Sequence, residues 1–405
     1  MNDNGNSPAS MAATLRLIPG GVWALGFVSL FMDTSSELIH SLLPVFLVSV
    51  LGASTLTIGL IEGTAEAIAL ITKVFSGVIS DAFGRRKPLI LLGYGLAAFT
   101  KPLFPLATSV AAVMTARFTD RIGKGIRGAP RDALVGDITP SHLSGASFGL
   151  RQALDTIGAI AGPLLAMLCM LLFADDLRRV FWVGVLPAFI AVALLAFGVK
   201  EPGTGHEAQR LRTPIRRDLL RELGSSYWWI VIVGGVFTLA RFSEAFLVLR
   251  AQSVGVPPAQ IPLIMVVMSS VYALVSYPAG YLGDSLDRRV LLALGLVFLV
   301  VADVLLAHAV HPAMAYVGAG LWGTHMGLTQ GLFSAMVSDA APGRLRGTAF
   351  GVFNLVSGGA LLVASVLAGG LWQAFGPGAT FYTGAGLSVM TLIGLVALKT
   401  ERGKN

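Results

Sequence analysis

Cysteine is almost absent: the 405 residues contain one, Cys169, inside an apolar block. That excludes a disulfide framework and a cysteine-based metal site. Charge is also scarce. Charged residues make up 13% of the chain, about half the usual globular share of ~25%. A soluble domain of this length needs far more polar surface. The short alternating segments of transmembrane strands are missing as well. So is every enzymatic constellation: no Walker loop, H-E-x-x-H, G-x-S-x-G or dinucleotide fingerprint. No enzyme activity, cofactor or metal is expected, and active transport driven by this chain's own nucleotide hydrolysis is excluded. Residues Met1 to Gly20 lack an A-x-A-like cleavage site and mostly lack an apolar run. They read as a tail rather than a signal peptide.

What the chain has instead is apolar length. Hydrophobic residues reach 55% and fall in blocks of roughly 18–25, enough to cross about 30 Å of hydrocarbon as helix. Twelve such spans are predicted, running approximately over 21–50, 56–80, 88–107, 110–135, 145–173 and 180–199, then 227–251, 262–282, 290–309, 313–339, 347–372 and 381–398. This divides the chain into a tail (1–20), a six-helix bundle (21–199), a polar linker (200–226), a second bundle (227–398) and a short tail (399–405).

The formal charge of +7 does not point to nucleic acid, because the basic residues cluster between the apolar blocks. Loops 52–55, 307–312 and 374–378 carry no Lys or Arg, whereas Arg85-Arg86-Lys87, the linker, Arg288-Arg289 and the C-terminal end are basic. Arg127 and Arg131 are read with this basic face. The positive-inside rule then places both termini and the linker in the cytoplasm. Asp175-Asp176-Leu177-Arg178-Arg179 falls on the other side, where its two acids and two bases cancel.

The two halves repeat. Gly77, Asp81, Arg85 and Arg86 match Gly280, Asp284, Arg288 and Arg289 at an offset of 203, as Gly52 matches Gly255. At an offset of 202, Asp137, Pro140, Gly145, Phe148 and Gly149 match Asp339, Pro342, Gly347, Phe350 and Gly351. A parallel repeat of six spans is the arrangement in which two bundles rock about a midplane site.

These residues carry a resemblance to the major facilitator superfamily over nearly the whole chain. The segment Gly77-Val-Ile-Ser-Asp81-Ala-Phe-Gly84-Arg85-Arg86-Lys87 is similar to that family's loop motif, with Ala82 where a basic residue is common. The resemblance implies that Asp81 and its counterpart Asp284 act in a conformational switch with Gly77, Gly84, Arg85 and Arg86, and with Gly280, Arg288 and Arg289. Gly149, Gly158 and Gly162-Pro163 resemble the antiporter motif of the fifth span, with Ala166-Met167 in place of its final glycine pair. Arg117 fits the fourth-span arginine, while Asp120 and Arg121 replace the residues that usually follow it. The implied fold is an all-α membrane protein of twelve transmembrane helices in two pseudo-symmetric bundles. Its spans one, four, seven and ten line a central cavity.

Charge inside a membrane is expensive, so ionisable residues there face a cavity or a partner. Asp33, Glu37 and His40 share one face of the first span, and Glu62, Glu66 and Lys73 one face of the second. Lys101, a fourth-span stripe of Arg117, Asp120, Arg121 and Lys124, and Arg151 with Asp155 follow. The second half offers Arg241, Glu244, Asp303, His325, Gln330 and Asn354. On the family's cavity helices, Asp33, Glu37, His40, Arg117, Asp120, Arg121, Arg241 and Glu244 become candidates for substrate and proton handling, with Arg117 expected to pair with Asp33 or Glu37. Glu62, Lys73, Lys101, Asp155 and Asp303 are read as neutralised interhelical pairs. Tyr227, Trp228 and Trp229 are read as interface anchors, and His308 and His311 as solvated.

The resulting expectation is a monomeric secondary transporter of the cytoplasmic (inner) membrane. Its partners would be a small solute, protons and the lipid bilayer, working by proton-coupled efflux. Proton-coupled uptake, or a transport-inactive sensor or assembly protein of the same fold, are the alternatives. The orientation has a direct test. In a Cys169→Ala background, cysteines placed in the linker should react with an impermeant thiol reagent only after the cytoplasmic side is exposed. Labelling on intact cells would invert the topology.

Overall fold

The computed structural model describes residues 11–83, 85–201, 220, 222–285, 287–342 and 345–397. Every apolar block is helical. The first span comprises Gly20–His40 and Leu43–Ser49, the second Thr55–Phe83, and the third Lys87–Thr100 with Leu103–Leu106. The fourth to sixth are Val110–Ile138, Ser144–Leu172 and Leu177–Gly198. The seventh comprises Ser225–Ala240 and Ala245–Ser253, followed by Leu263–Ser285 and Arg288–Ala307. The tenth comprises Pro312–Thr329 and Leu332–Ala340, and the last two are Arg346–Phe375 and Pro377–Ala397. A short helix, Met11–Leu17, precedes the first span.

Nine of the twelve are long and apolar enough to cross a membrane on length and composition alone, counted over the described residues. The second, fourth and tenth are not in that set; the fourth carries eight ionisable side chains, from Arg117 to Asp137. Such a helix is stable in a bilayer only where protein or a wet cavity surrounds it. It packs between the second and third spans.

Several spans are broken midway. The first breaks at Ser41–Leu42, ahead of Pro44. The third breaks beside Pro102, and the tenth at Gly331, whose φ of 73° favours a residue without Cβ. The seventh breaks between Arg241 and Glu244, where Ser243 Oγ accepts from the Ala245 amide at 3.2 Å and Ser365 Oγ accepts from the Ser243 amide at 3.2 Å. Side chains thus satisfy the freed backbone groups, as a membrane interior requires.

The repeat seen in the sequence is also a repeat of geometry. Gly52 and Gly255 both take positive φ, 66° and 85°. Arg86 pairs with Asp137 in one half and Arg288 with Asp339 in the other, contacts that correspond at the offset of 202. The side chains of Asp81 and Asp284, the whole of Gly84, and nearly all of the linker and both chain ends lie outside the described residues. The tail and linker boundaries remain expectations of the sequence.

The two bundles meet unevenly. At the end away from the linker, one hydrophobic core draws on both halves, joining Phe46, Ile61 and Phe181 to Phe242, Phe246 and Trp322. There Gln252 Nε2 donates to Ser49 Oγ at 3.0 Å, and Thr55 Oγ1 donates to the Gly369 carbonyl at 3.1 Å. The second and eleventh spans approach so closely at Gly59 that an added Cβ would stand 2.1 Å from the Ser365 oxygen. At the linker end the cores separate, one built from the first half around Val22 and Tyr94 and another from the second around Tyr227 and Leu296. The halves are therefore sealed at the far end and parted toward the linker.

One reading of an aromatic residue is corrected. Tyr227 is fully buried, its hydroxyl donating to the Ala349 carbonyl at 3.0 Å, because it packs against the eleventh span. His308 and His311 are exposed, as read, with Tyr382 Oη 2.8 Å from His308 Nε2. The sealed end yields a prediction. In a chain lacking Cys169, oxidation of a Ser49→Cys, Gln252→Cys pair should form an intramolecular disulfide and stop transport, with reduction restoring it. Undiminished transport in the cross-linked protein would mean that this end never opens.

Candidate substrate cavity

Between the halves lie two connected chambers. The wider, about 440 Å³, reaches toward the linker end, with Asp33, Lys73, Arg131, Asp155 and Tyr272 among its walls. The narrower, about 290 Å³, lies deeper and is bounded by His40, Glu62, Arg121, Arg241, Phe242 and Trp322. Glu37, Glu66, Lys124 and Glu244 line both and form the neck between them. Below the narrow chamber the rings of Phe242, Trp322 and Phe381 pack at centroid separations of 5.3–5.5 Å from Phe242. They close the far end.

The two walls differ. Nearly all the charge belongs to the first half. The second contributes Arg241 and Glu244, with Met265, Met268, Met326 and Tyr272 beside the uncharged Ser269 and Gln330 in the wide chamber, and Phe242 and Trp322 beside Thr238 and Ser243 in the narrow one. Thioether and aromatic surfaces accept varied apolar shapes.

Behind the first-half wall runs a buried ion-pair network. Arg117, only 3% exposed, donates to Glu62 Oε2 at 2.7 Å. The same oxygen lies 3.0 Å from His40 Nε2. Arg121 holds Glu66 at 3.1 Å and Asp120 at 3.1 Å. Lys101 Nζ donates to Asp120 at 2.9 Å and to Ser36 Oγ at 2.9 Å. Low-dielectric surroundings make each of these contacts strong and each missing one costly.

This geometry rearranges the expected pairs. Arg117 is bonded to Glu62, not to Asp33 or Glu37, because its face of the fourth span turns to the second span rather than the first. Arg117 and Asp120 sit one layer behind the cavity, while Arg121 reaches the narrow chamber. Asp33, Glu37, His40, Arg241 and Glu244 do line the chambers. Lys101, Glu62 and Asp155 are paired as expected, the last with Arg151 at 2.5 Å. Lys73 is not: it faces the wide chamber with no ion-pair partner among the described residues. Asp303 is buried at 0% exposure, and among the described residues neither carboxylate oxygen has a hydrogen bond. It lies outside the chambers, crowding Gly384 together with the edge of Phe242. His325 Nδ1 bonds to the Gly295 carbonyl at 2.9 Å, leaving Nε2 without a partner.

Arg127 and Arg131 were assigned by sequence to the basic face. They line the wide chamber instead, because the fourth helix continues unbroken to Ile138. The signal for them existed: Arg121, Lys124, Arg127 and Arg131 follow one another at spacings of three and four, which keeps them along one side of a helix. Met265, Met268, Tyr272 and Met326 had no such signal, since methionine in a membrane helix looks like any lipid-facing residue.

The glycines of the fifth span explain how two acids are placed. A Cβ on Gly158 would stand 2.6 Å from the Leu30 carbonyl and 3.1 Å from Asp33 Cβ. One on Gly162 would stand 2.6 Å from the Thr34 carbonyl and 2.9 Å from Glu37 Cβ. Spans one and five therefore touch backbone to backbone beside Asp33 and Glu37, as small residues permit. Pro163 is buried in the same helix, whereas a Cβ on Gly149 would meet nothing within 4 Å.

The comparisons with known proteins agree with this architecture. The sequence profile of the Major Facilitator Superfamily matches residues 25–250 and 237–405. The chain belongs to the major facilitator superfamily. It is 32% identical over 382 residues to the uncharacterized MFS-type transporter MJ1317 of Methanocaldococcus jannaschii, covering 93% of this chain and 94% of the relative. It is 23% identical over 279 residues to the multidrug resistance protein MdtH of Yersinia pestis, covering 68% of each. The fold is similar to that of the nucleoside transporter NupG, with a TM-score of 0.78 at 13% identity, over 93% of this chain and 99% of that one. The protein is thus a multi-pass membrane transporter of the secondary type, not an enzyme.

Its buried network makes a measurable prediction. Arg117→Met, which strands Glu62, should cost about 3–5 kcal/mol of stability. The double variant Arg117→Met, Glu62→Met should recover most of it. Unfolding in graded denaturing detergent would measure both. Equal losses in the single and double variants would show that the pair is not the source.

Proposed function

We propose that this transporter expels a small solute from the cytoplasm in exchange for protons, with both termini and the linker cytoplasmic. One observation carries the reading. Among the described residues, Asp33 and Glu37 stand on the cavity wall without an arginine in ion-pair contact, Glu37 having only His40 at 3.9 Å, while Arg117 and Arg121 are bonded to other acids. An acid free of a fixed countercharge is able to take and release a proton as its surroundings change. The antiporter-like glycines that seat these two acids, and the likeness to a multidrug resistance protein, support export over uptake.

In this reading Asp33 or Glu37 carries the proton, and His40, between Glu37 at 3.9 Å and Glu62 at 3.0 Å, links it to the buried network. Arg117 and Asp120 act from behind, holding Glu62 and Arg121 in place. Asp81 and Asp284, with the arginines that follow them, stabilise the state closed at the cytoplasmic end. A Cβ added to Gly77 would stand 3.4 Å from Ala129 Cβ on the fourth span, where that lock would be seated.

A proton carrier replaced by a permanently neutral residue should lose coupling before it loses binding. Solutes are found by screening a deletion strain for new sensitivities. In everted vesicles, adding such a solute should collapse a respiration-generated pH gradient with the native protein. Asp33→Asn or Glu37→Gln should abolish that collapse, while solute counterflow without a gradient persists. Full collapse in both variants would move the proton elsewhere. Solute-driven proton movement of the opposite sign would make the protein an uptake system.

A further inference from the structure

The two chambers are zoned by charge. In the neck, Glu37, Glu66 and Glu244 face a single cation, Lys124. In the narrow chamber, Arg121 and Arg241 face Glu62. Removing the pairs that the protein makes for itself sharpens the zoning. Glu66 is held by Arg121, and Glu62 by Arg117. What remains in the neck is Glu37, 3.9 Å from His40, with Glu244 and Lys124, an excess of one negative charge while His40 is neutral. What remains in the narrow chamber is Arg241, which lies over the Phe237 ring at 5.5 Å and forms no ion pair among the described residues, the charge of Glu244 in the neck acting on it from farther off.

While the cavity is open, water solvates these groups. When the halves close over a solute the water leaves, and an unmatched charge in the occluded space becomes costly. A purely cationic solute neutralises the neck and strands Arg241. A purely anionic one satisfies Arg241 and leaves the neck negative. A solute bearing both charges balances both zones. The neck acids also come from opposite halves, Glu37 from the first and Glu244 from the second. A cationic group between them therefore favours the closed arrangement over the open one, which is the differential affinity that a solute needs to drive closure.

We propose that the substrate is a small zwitterion. Its ammonium group sits in the neck between Glu37 and Glu244, its acidic group sits on Arg241, and its apolar portion lies against Phe242 and Trp322. This assignment rests on the transporter reading of the same cavity, without depending on the direction of transport.

Three probes of one skeleton separate the alternatives: phenylalanine, phenylalaninamide, which keeps only the cation, and 3-phenylpropionate, which keeps only the anion. Binding to the purified full-length protein is measured by titration calorimetry. Phenylalanine should bind about tenfold or more tightly than either relative. Arg241→Gln should erase its advantage over phenylalaninamide, and Glu244→Gln its advantage over 3-phenylpropionate. Arg241→Lys, which keeps the charge, should retain much of the preference and guards against misfolding as the cause. A singly charged probe binding as tightly as phenylalanine, or no measurable binding of any of the three, overturns the proposal. The transporter reading is scored apart from this. Cysteine accessibility on the two faces of the membrane reports alternating access with no solute, and its absence would refute that reading instead.

Discussion

The cost of an ionised side chain in hydrocarbon governs this protein. About a dozen charged groups lie at membrane depth in the first bundle, and each needs a partner or water. The fourth span, too polar to cross alone, is held by the Arg117–Glu62, Arg121–Glu66 and Lys101–Asp120 contacts to its neighbours. Those pairs make the first bundle one rigid unit. The groups left over cannot be buried in lipid, so they face the space between the bundles.

The second bundle solves a different problem. With few charges, it relies on aromatic and methionine packing, and it closes the far end through the Phe242, Trp322 and Phe381 rings. A rigid ionic wall thus faces a softer apolar one. The backbone-close contact of spans two and eleven near Gly59 and Ser365 provides a tight seam at one end, while the separate cores at the linker end leave the halves free to approach. A packed interface with two alternative arrangements is the kind of bistable element on which a solute or a proton acts.

Much of this was legible in the sequence. Block length set the spans, the charge-free loops set the two faces, and the offset of 203 residues anticipated geometry as fine as the paired turns at Gly52 and Gly255. The place of Asp33, Glu37, Arg241 and Glu244 on the chamber walls was legible because an acid or base in an apolar block must face a cavity or a partner. Partnership was not legible. Arg117 and Arg121 are four residues apart and chemically alike, yet one turns to the second span and the other reaches the cavity. A few degrees of helix rotation, set by close contacts such as Gly93 against Gly123, decides between them. The methionine wall stayed hidden because apolar residues carry no mark of whether they face lipid or solute.

In the proposed transport cycle the sealed and parted ends exchange roles. Electron spin labels placed at Asp175 and His311 report the far end, and labels at Gly145 and Tyr281 report the linker end. Pulsed distance measurements across a pH titration in reconstituted membranes should show two populations. As the far-end distance lengthens, the linker-end distance should shorten in the same proportion of molecules. Single distributions that stay fixed at both ends, or distances that lengthen together, would contradict the account.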